Sequence, residues 1–372
     1  MNLPSIENIG EVKDKKVILR LDLNVPVEEG LVKDDYRIRR SMKTVNFLRE
    51  KGAKVIIISH IESAGNDSLL PVSKYMGIPL VDMHVDGFSD ANLSFMNSGD
   101  AVILENLRKD PGEKENNFIF AKKIASLGDI FVNEAFSVSH RNHASIIKLP
   151  EMMPSFFGFL FMEEVQTLSR SFNPSHPFVF ILGGAKFETK LPLVKKFLNI
   201  ADKIFICGAL ANSFYKERGM EIGRSRADDV NLGLVSLLDS NKVEVPEDAI
   251  VSSSACMDVK EVSKLEKGDL MVDAGPQFRD RLEKAVLSAK FVLWNGPLGI
   301  IEDGFSEATR ELAKTIAISD AVSVIGGGDT ISAIKGLNIE ERVSFISTGG
   351  GAMLDFLANG TLPGIDAVLK SA

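Results

Sequence analysis

The chain has 372 residues, 45% of them hydrophobic and 25% charged, which excludes disordered and collagen-like classes and leaves room for two domains of ordinary size. Its formal net charge of −8 disfavours nucleic acid or an anionic membrane as the main partner, so any anion site must be local. Cys207 and Cys256 are too few for a disulfide framework and show no metal-ligand spacing, which fits a reducing cytoplasm.

The N-terminal MNLPSIENIGEVKDKK has no apolar core of signal-peptide length, and SFFGFLFM is too short to span a bilayer, so no membrane role is expected. Short β-branched or aromatic runs then alternate with stretches of helical period, which predicts an α/β fold of βα units around mainly parallel sheets. In the first half these runs are KVILRLDLN, KVIIISH, AVILENLR and DIFVNEAF, and the segments after them are rich in Asp, Asn, Arg and His. GFLFMEEVQTLSRSFNPSHP follows, helical in pattern from about Gly158 until the prolines of NPSHP stop it. In the second half the runs are FVFILGGAK, KIFICGA, FVLWNGP, VSVIGGGD and VSFISTGGGA, and they end in glycine. The expected organisation is a first domain over 1–157, a hinge helix over 158–173, a second domain over 174–355, and a tail over 356–372 that packs back at the junction.

Open α/β sheets bind ligands at the carboxyl ends of their strands, so the contrasting ends imply two different half-sites. Glycine after a strand lets backbone N–H groups approach a phosphate, and the next helix adds its positive end. Gly326–Gly328 and Gly349–Gly351 both have this form; one such triplet alone is more often a tight turn, and two in one half shift the balance towards phosphate. Asp329 is either a helix N-cap or a magnesium anchor beside nucleotide phosphates. Lys186 and Lys190 of GGAKFETK stand four apart after a glycine turn, within reach of a phosphoryl group.

Arg20, Arg37, His60, Arg108, His140, Arg141 and His143 of the polar half can form a basic basin for a small, multiply charged anion, with arginine forks giving orientation. The histidines of HRNH also permit a metal reading, which lacks a cysteine or acidic cluster to complete it. Signatures for a serine nucleophile, a zinc protease, a protein kinase and CxxC chemistry are all missing. What remains is phosphoryl transfer from a nucleotide in one lobe to an anion in the other by domain closure.

Eight segments in series resemble the phosphoglycerate kinase family: RLDLNVP, DDYRIR, VILENLR, GDIFVNEAFSVSHRNHAS, ILGGAKFETK, VLWNGPLGIIE, VIGGGDT and ISTGGGAMLDFL. The resemblance implies two doubly wound, Rossmann-like parallel-sheet domains joined by an interdomain helix, a bilobal hinge-closing kinase. It implies 3-phosphoglycerate or 1,3-bisphosphoglycerate in the first domain and Mg-ADP or Mg-ATP in the second, in a cytoplasmic monomer. Asp22 and Asn24 then bind the glycerate part, His60, Arg108 and Arg141 its phosphate and carboxylate end, and Arg37 lies nearest the chemistry. On the nucleotide side Lys190 contacts the phosphates and the group in transit, Lys186 and Asn295 line the nucleotide, and Glu302 holds the ribose. Asp329 takes magnesium, Gly327, Gly328 and Thr330 complete the phosphate turn, and Gly350 aims a helix start at the phosphoryl in flight.

The chain departs from the family at two places. Where the family continues SHLGRP, it reads SHIESAGND: Ser63 stands at the substrate-binding arginine position and Glu62 adds a negative charge, with Lys109 or Arg40 as candidate compensating cations. In CGALANSF, Cys207 and Ala209 replace glycines near the base and are expected to narrow that wall. The alternative function is a catalytically weak nucleotide-binding relative with a regulatory role.

Overall fold

The computed structural model describes residues 3–371 apart from 64, 83–92, 186, 229–232, 235, 236, 238, 239, 254 and 255; of 188 and 189 it describes the backbone alone. The chain divides into two compact units, residues up to Gln166 with Asn359 onward, and Thr167–Ala358.

The first unit carries strands β1 (Lys16–Arg20), β2 (Val27–Glu28), β3 (Leu31–Val32), β4 (Lys54–Ile58), β5 (Leu80–Val81), β6 (Ala101–Leu104), β7 (Ile130–Asn133) and β8 (Ser155–Phe157). Six of them form one parallel sheet in the order β5-β6-β4-β1-β7-β8. Its strands are continuous apolar runs because both faces are covered: Val17, Leu19, Val55 and Ile57 enter one core cluster, Ile18, Ile56, Ile58 and Phe131 the other. The strand order reverses between β1 and β7, and the loops after those two strands hold Leu21–Asn24 and Glu134–Arg141. The helix Phe159–Ser169 begins where buried Glu134 accepts from the backbone N–H groups of Leu160 (3.1 Å) and Phe161 (3.0 Å). The tail helix Pro363–Lys370 belongs to this unit, with Gly364 N–H donating to the Ser139 carbonyl at 2.9 Å.

In the second unit the strands are β9 (Phe178–Leu182), β10 (Lys203–Ile206), β11 (Val243–Glu244), β12 (Asp248–Ser252), β13 (Met257–Glu261), β14 (Leu270–Ala274), β15 (Phe291–Asn295), β16 (Val322–Gly326) and β17 (Phe345–Ile346). They make a parallel sheet in the order β11-β10-β9-β15-β16-β17 and a separate antiparallel sheet, β13-β12-β14. The antiparallel sheet is an addition to the expected parallel architecture, and its strand β13 is largely exposed with polar residues.

Here the order reverses between β9 and β15, and glycines let the two loops touch. Gly183 N–H donates to the Asn295 carbonyl (2.8 Å) and Gly184 N–H to the Pro297 carbonyl (2.9 Å). A Cβ on Gly183 would overlap the Pro297 carbonyl and lie 2.7 Å from that of Gly296, both backbone atoms that cannot rotate aside. Gly183→Ala is therefore expected to cost about 3 kcal/mol and to lower the Tm of this unit by about 6–12 °C in calorimetry; an unchanged Tm would show that the two loops separate freely.

Candidate functional site

The first half-site forms at the carboxyl ends of β1, β4, β6 and β7. Arg20, last in β1, is fully buried and is compensated on every side: Nε donates to Ser145 Oγ (2.9 Å), and Glu113 lies 4.0 Å from its Nη2. The same Nη2 is 3.1 Å from His60 Nδ1. Arginine only donates, so Nδ1 of His60 is the acceptor and its proton sits on Nε2. Burial and the Arg20 charge hold His60 well below its ordinary pKa, so the ring stays neutral and offers one N–H to a ligand.

Asp22 follows β1 and is ion-paired to Arg37 Nη1 at 2.9 Å. Burial opposes its ionisation, but Arg37, His60 and hydrogen bonds from Ser137 and the Asn24 N–H outweigh it and hold the carboxyl at about 2. Arg37 also donates to the Asn24 carbonyl (3.1 Å), while Asn24 Oδ1 accepts from Glu62 N–H (2.8 Å). Asn106 ties two strand ends together, accepting from Ile61 N–H (3.2 Å) and Arg108 N–H (3.1 Å), and so sets the short helical turn that presents Arg108.

Arg108 is 3% exposed; its Nη1 is 2.5 Å from Glu62 Oε2, and its Nε and Nη2 are buried without a hydrogen-bond partner. Such donors are costly in the absence of an acceptor, which is the condition of a guanidinium awaiting an anion. Arg141 is exposed on the loop after β7, and its charge acts on both His60 and Glu62.

Several expectations for this half are corrected. The Ser63 hydroxyl faces Val27, accepting from its N–H (3.1 Å) and donating to its carbonyl (3.3 Å), so it does not take up the role of the arginine it replaces. Of the two candidate compensating cations, Arg40 pairs away with Glu163 (2.9 Å), whereas Lys109 pairs with Glu105 (3.4 Å) and lines the same open cavity as Ser63, Glu62 and Arg108. The residue that does reach Glu62 is Lys114, at 2.7 Å, six positions beyond Arg108 on a helical turn capped by Asp110. Sequence reading passed over it because nothing in its spacing marks it. The HRNH metal reading finds no support, since no group of three potential ligands occurs among the described residues. Instead His143 lies 3.9 Å from Glu113, and burial with the nearby Arg108 and Arg141 charges lowers its pKa to about 4.

The second half-site surrounds a cavity of about 510 Å³ lined by Gly184, Ala185, Gly208, Ala209, Leu270, Met271, Pro297, Glu302 and Asp329, among others. Its lining mixes apolar side chains with carboxylates and glycine backbone, the kinds of group that a base and its phosphates need. Ala209 is on the wall, whereas Cys207 is buried behind it and does not line the cavity. Gly208 takes φ +60°, and a Cβ there would lie 3.1 Å from Gly184 N, so the glycine between them keeps the wall open.

Lys190 is buried, with Nζ donating to the Gly183 carbonyl at 2.6 Å. Burial lowers its pKa to about 8, partly offset by the charge of nearby Asp329. Lys186 lies outside the described residues. Asp329 is exposed in the first turn of the helix Gly328–Ile334; the cap position is Gly327, with φ +102°, so Asp329 is not the N-cap. Thr330 is turned inward, accepting from Gly296 N–H (3.0 Å), and Asn295 is buried against Met353. Glu302 is exposed at the rim, and Gly350, at φ +51°, precedes the helix Gly351–Asn359.

The depressed Lys190 pKa has a testable sign. The protonated form is the one phosphates attract, and it is present below about pH 8. In the free enzyme kcat/KM for the nucleotide is expected to fall above that pH, while kcat moves less because bound phosphates raise the pKa again. A flat kcat/KM profile through pH 8 would place the ammonium away from the nucleotide.

A family model described as phosphoglycerate kinase matches residues 6–360. The phosphoglycerate kinase of Dictyoglomus turgidum is 37% identical, over 97% of this chain and 96% of that protein. The solved phosphoglycerate kinase of Coxiella burnetii is 34% identical with a TM-score of 0.83, and that of Pyrococcus horikoshii 28% identical with 0.86, each covering 99% of both chains.

Proposed function

Because the chain belongs to the phosphoglycerate kinase family and is a glycolytic kinase, we propose that the first unit holds 3-phosphoglycerate or 1,3-bisphosphoglycerate and the second ATP or ADP. The observation that carries the assignment is Arg108, a buried guanidinium with two unpartnered nitrogens in a basin that also holds neutral His60 and exposed Arg141. Asp22 and Asn24 would orient the glycerate part beside Arg37, while His60, Arg108 and Arg141 would take the phosphate and carboxylate end. In the second unit Glu302 would hold the ribose. Lys190, Gly327, Gly328, Thr330 and Asn295 would surround the phosphates, and Gly350 would direct a backbone N–H at the group in transit.

Asp329 fits magnesium bound with a nucleotide, since that ion usually takes one or two carboxylates plus substrate phosphates rather than an all-protein cage. Bound there, the ion would neutralise charge on the nucleotide phosphates. The acceptor is a carboxylate, ionised at neutral pH, so no side chain has to remove a proton. Its oxygen forms a bond to the γ-phosphorus as the bond to the bridging oxygen breaks, and ADP leaves with that electron pair. The side chains therefore act by position and charge: Lys190 offsets charge on the transferring group, and Arg37 orients the attacking end. No helix among the described residues is long and apolar enough to cross a membrane, and the reading is of a cytoplasmic monomer. A coupled assay with 3-phosphoglycerate and Mg-ATP tests it: saturable turnover that needs both substrates and the metal is expected, and absence of turnover at saturation would leave only the regulatory alternative.

A further inference from the structure

At the phosphate end of the first half-site, a carboxylate stands where the substrate's anion should go. Glu62 is 2.5 Å from Arg108 and 2.7 Å from Lys114, bridging two cations that share no other bond with each other. It is 47% exposed and Lys114 is 54% exposed, so both side chains can move into water, whereas Arg108 is fixed in the wall. The Glu62 backbone is held by Asn24, a residue assigned to the glycerate, so the carboxylate is anchored inside the same basin. Ser63 is turned to Val27 and takes no part. Glu62 also lines, with Ser63, Arg108 and Lys109, an open cavity of about 620 Å³ in this unit, and Lys114 reaches it through the Glu62 carboxylate.

We infer that Glu62 is a built-in competing anion: without substrate it holds Arg108 Nη1 and Lys114, and a phosphate that enters on the unpartnered Nε and Nη2 of Arg108 must displace it to gain Nη1 and Lys114. Lys114 is then a substrate ligand, supplying the second cation that Ser63 cannot. The inference rests on the glycerate assignment of this half-site. Its physical basis is that Arg108 and Lys114 cannot both bind the Glu62 carboxylate and a phosphate fully, and a charge-assisted bond given up in one state is recovered in the other. The effect falls on substrate affinity alone, because the Glu62 carboxylate pairs with Arg108 and Lys114 rather than with Arg37 or Lys190, the side chains assigned to the transfer.

The test compares Glu62→Gln, Glu62→Asp and Lys114→Met with the unaltered enzyme, each checked by thermal melting. Glu62→Gln removes the competing charge and is expected to lower KM for 3-phosphoglycerate at least fivefold, with kcat and the nucleotide KM unchanged. Lys114→Met is expected to raise that KM at least fivefold, and Glu62→Asp, whose shorter arm cannot bridge both cations, to fall between Glu62→Gln and the unaltered enzyme. Inorganic phosphate should inhibit Glu62→Gln at correspondingly lower concentration, competitively with 3-phosphoglycerate. An unchanged or higher KM in Glu62→Gln would overturn the inference, because a merely structural surface pair gives that result. Should the unaltered enzyme show no turnover, the kinase reading falls separately, and calorimetric titration with inorganic phosphate still decides whether removing the Glu62 charge tightens anion binding.

Discussion

Lys190→Ala is expected to lower kcat by about 10²- to 10³-fold, the usual loss on removing one preorganised charge donor from a site of developing charge. Its ammonium is buried, bonded among the described residues to the Gly183 carbonyl, and already pushed down to about 8, so it is held at a cost that a bound polyphosphate reverses. The truncated variant should fold at least as well, since the charge that burial disfavours is gone; the sign follows from a lysine pKa below its unfolded value, which leaves stability reduced below about pH 8 and regained as pH rises from there toward the ordinary lysine value of 10.5. A fall in kcat with an undiminished Tm is the expected pair of results. A fall in both would make Lys190 a structural brace for the Gly183 loop.

Arg37→Ala is expected to act on turnover by a similar factor, about 10²-fold or more, with a much smaller change in KM for 3-phosphoglycerate. Arg37 is partly exposed, and its Nη1 alone serves Asp22 and the Asn24 carbonyl, which leaves part of the fork for an acceptor carboxylate. Its removal also frees Asp22, whose carboxyl is held at about 2 largely against its burial. A depressed carboxylate stabilises the fold above its unfolded pKa and loses that contribution as pH falls toward the folded value. Without Arg37 the folded pKa rises, so acid unfolding should begin at a higher pH. Arg37→Lys separates the two effects: it keeps a charge near Asp22 but has no fork, and should recover acid stability before turnover. If only KM changes in Arg37→Ala, the residue binds substrate without acting on the transfer.

Much of the architecture could be read from the strand ends, because apolar β-branched runs announce strands buried on both faces, and residues immediately after a run lie at the ligand edge of a parallel sheet. That logic brings Asp22, His60, Arg108 and Arg141 to one edge and Gly184, Asn295 and Asp329 to another. It fails where contact depends on side-chain direction or long separation. Arg20 looked like a basin cation but is a buried strut between Ser145, His60 and Glu113, which no local pattern reveals. Ser63 kept its place in sequence while its hydroxyl turned to Val27, and the lysine that pairs with the neighbouring Glu62 is Lys114, which lies 51 positions from Ser63. The antiparallel sheet of β12 to β14 escaped notice because its outer strand, MDVKE, is largely exposed and lacks a long apolar run.

The central claim is that a carboxylate bound in the first unit takes a phosphoryl group from a nucleotide bound in the second. It is tested most directly by following terminal label from γ-labelled ATP in the presence of 3-phosphoglycerate and magnesium. The account predicts label in an acyl phosphate, recognised because hydroxylamine releases it, and none when 3-phosphoglycerate is omitted. Label that stays in ATP, or appears as orthophosphate without the acceptor, would contradict it.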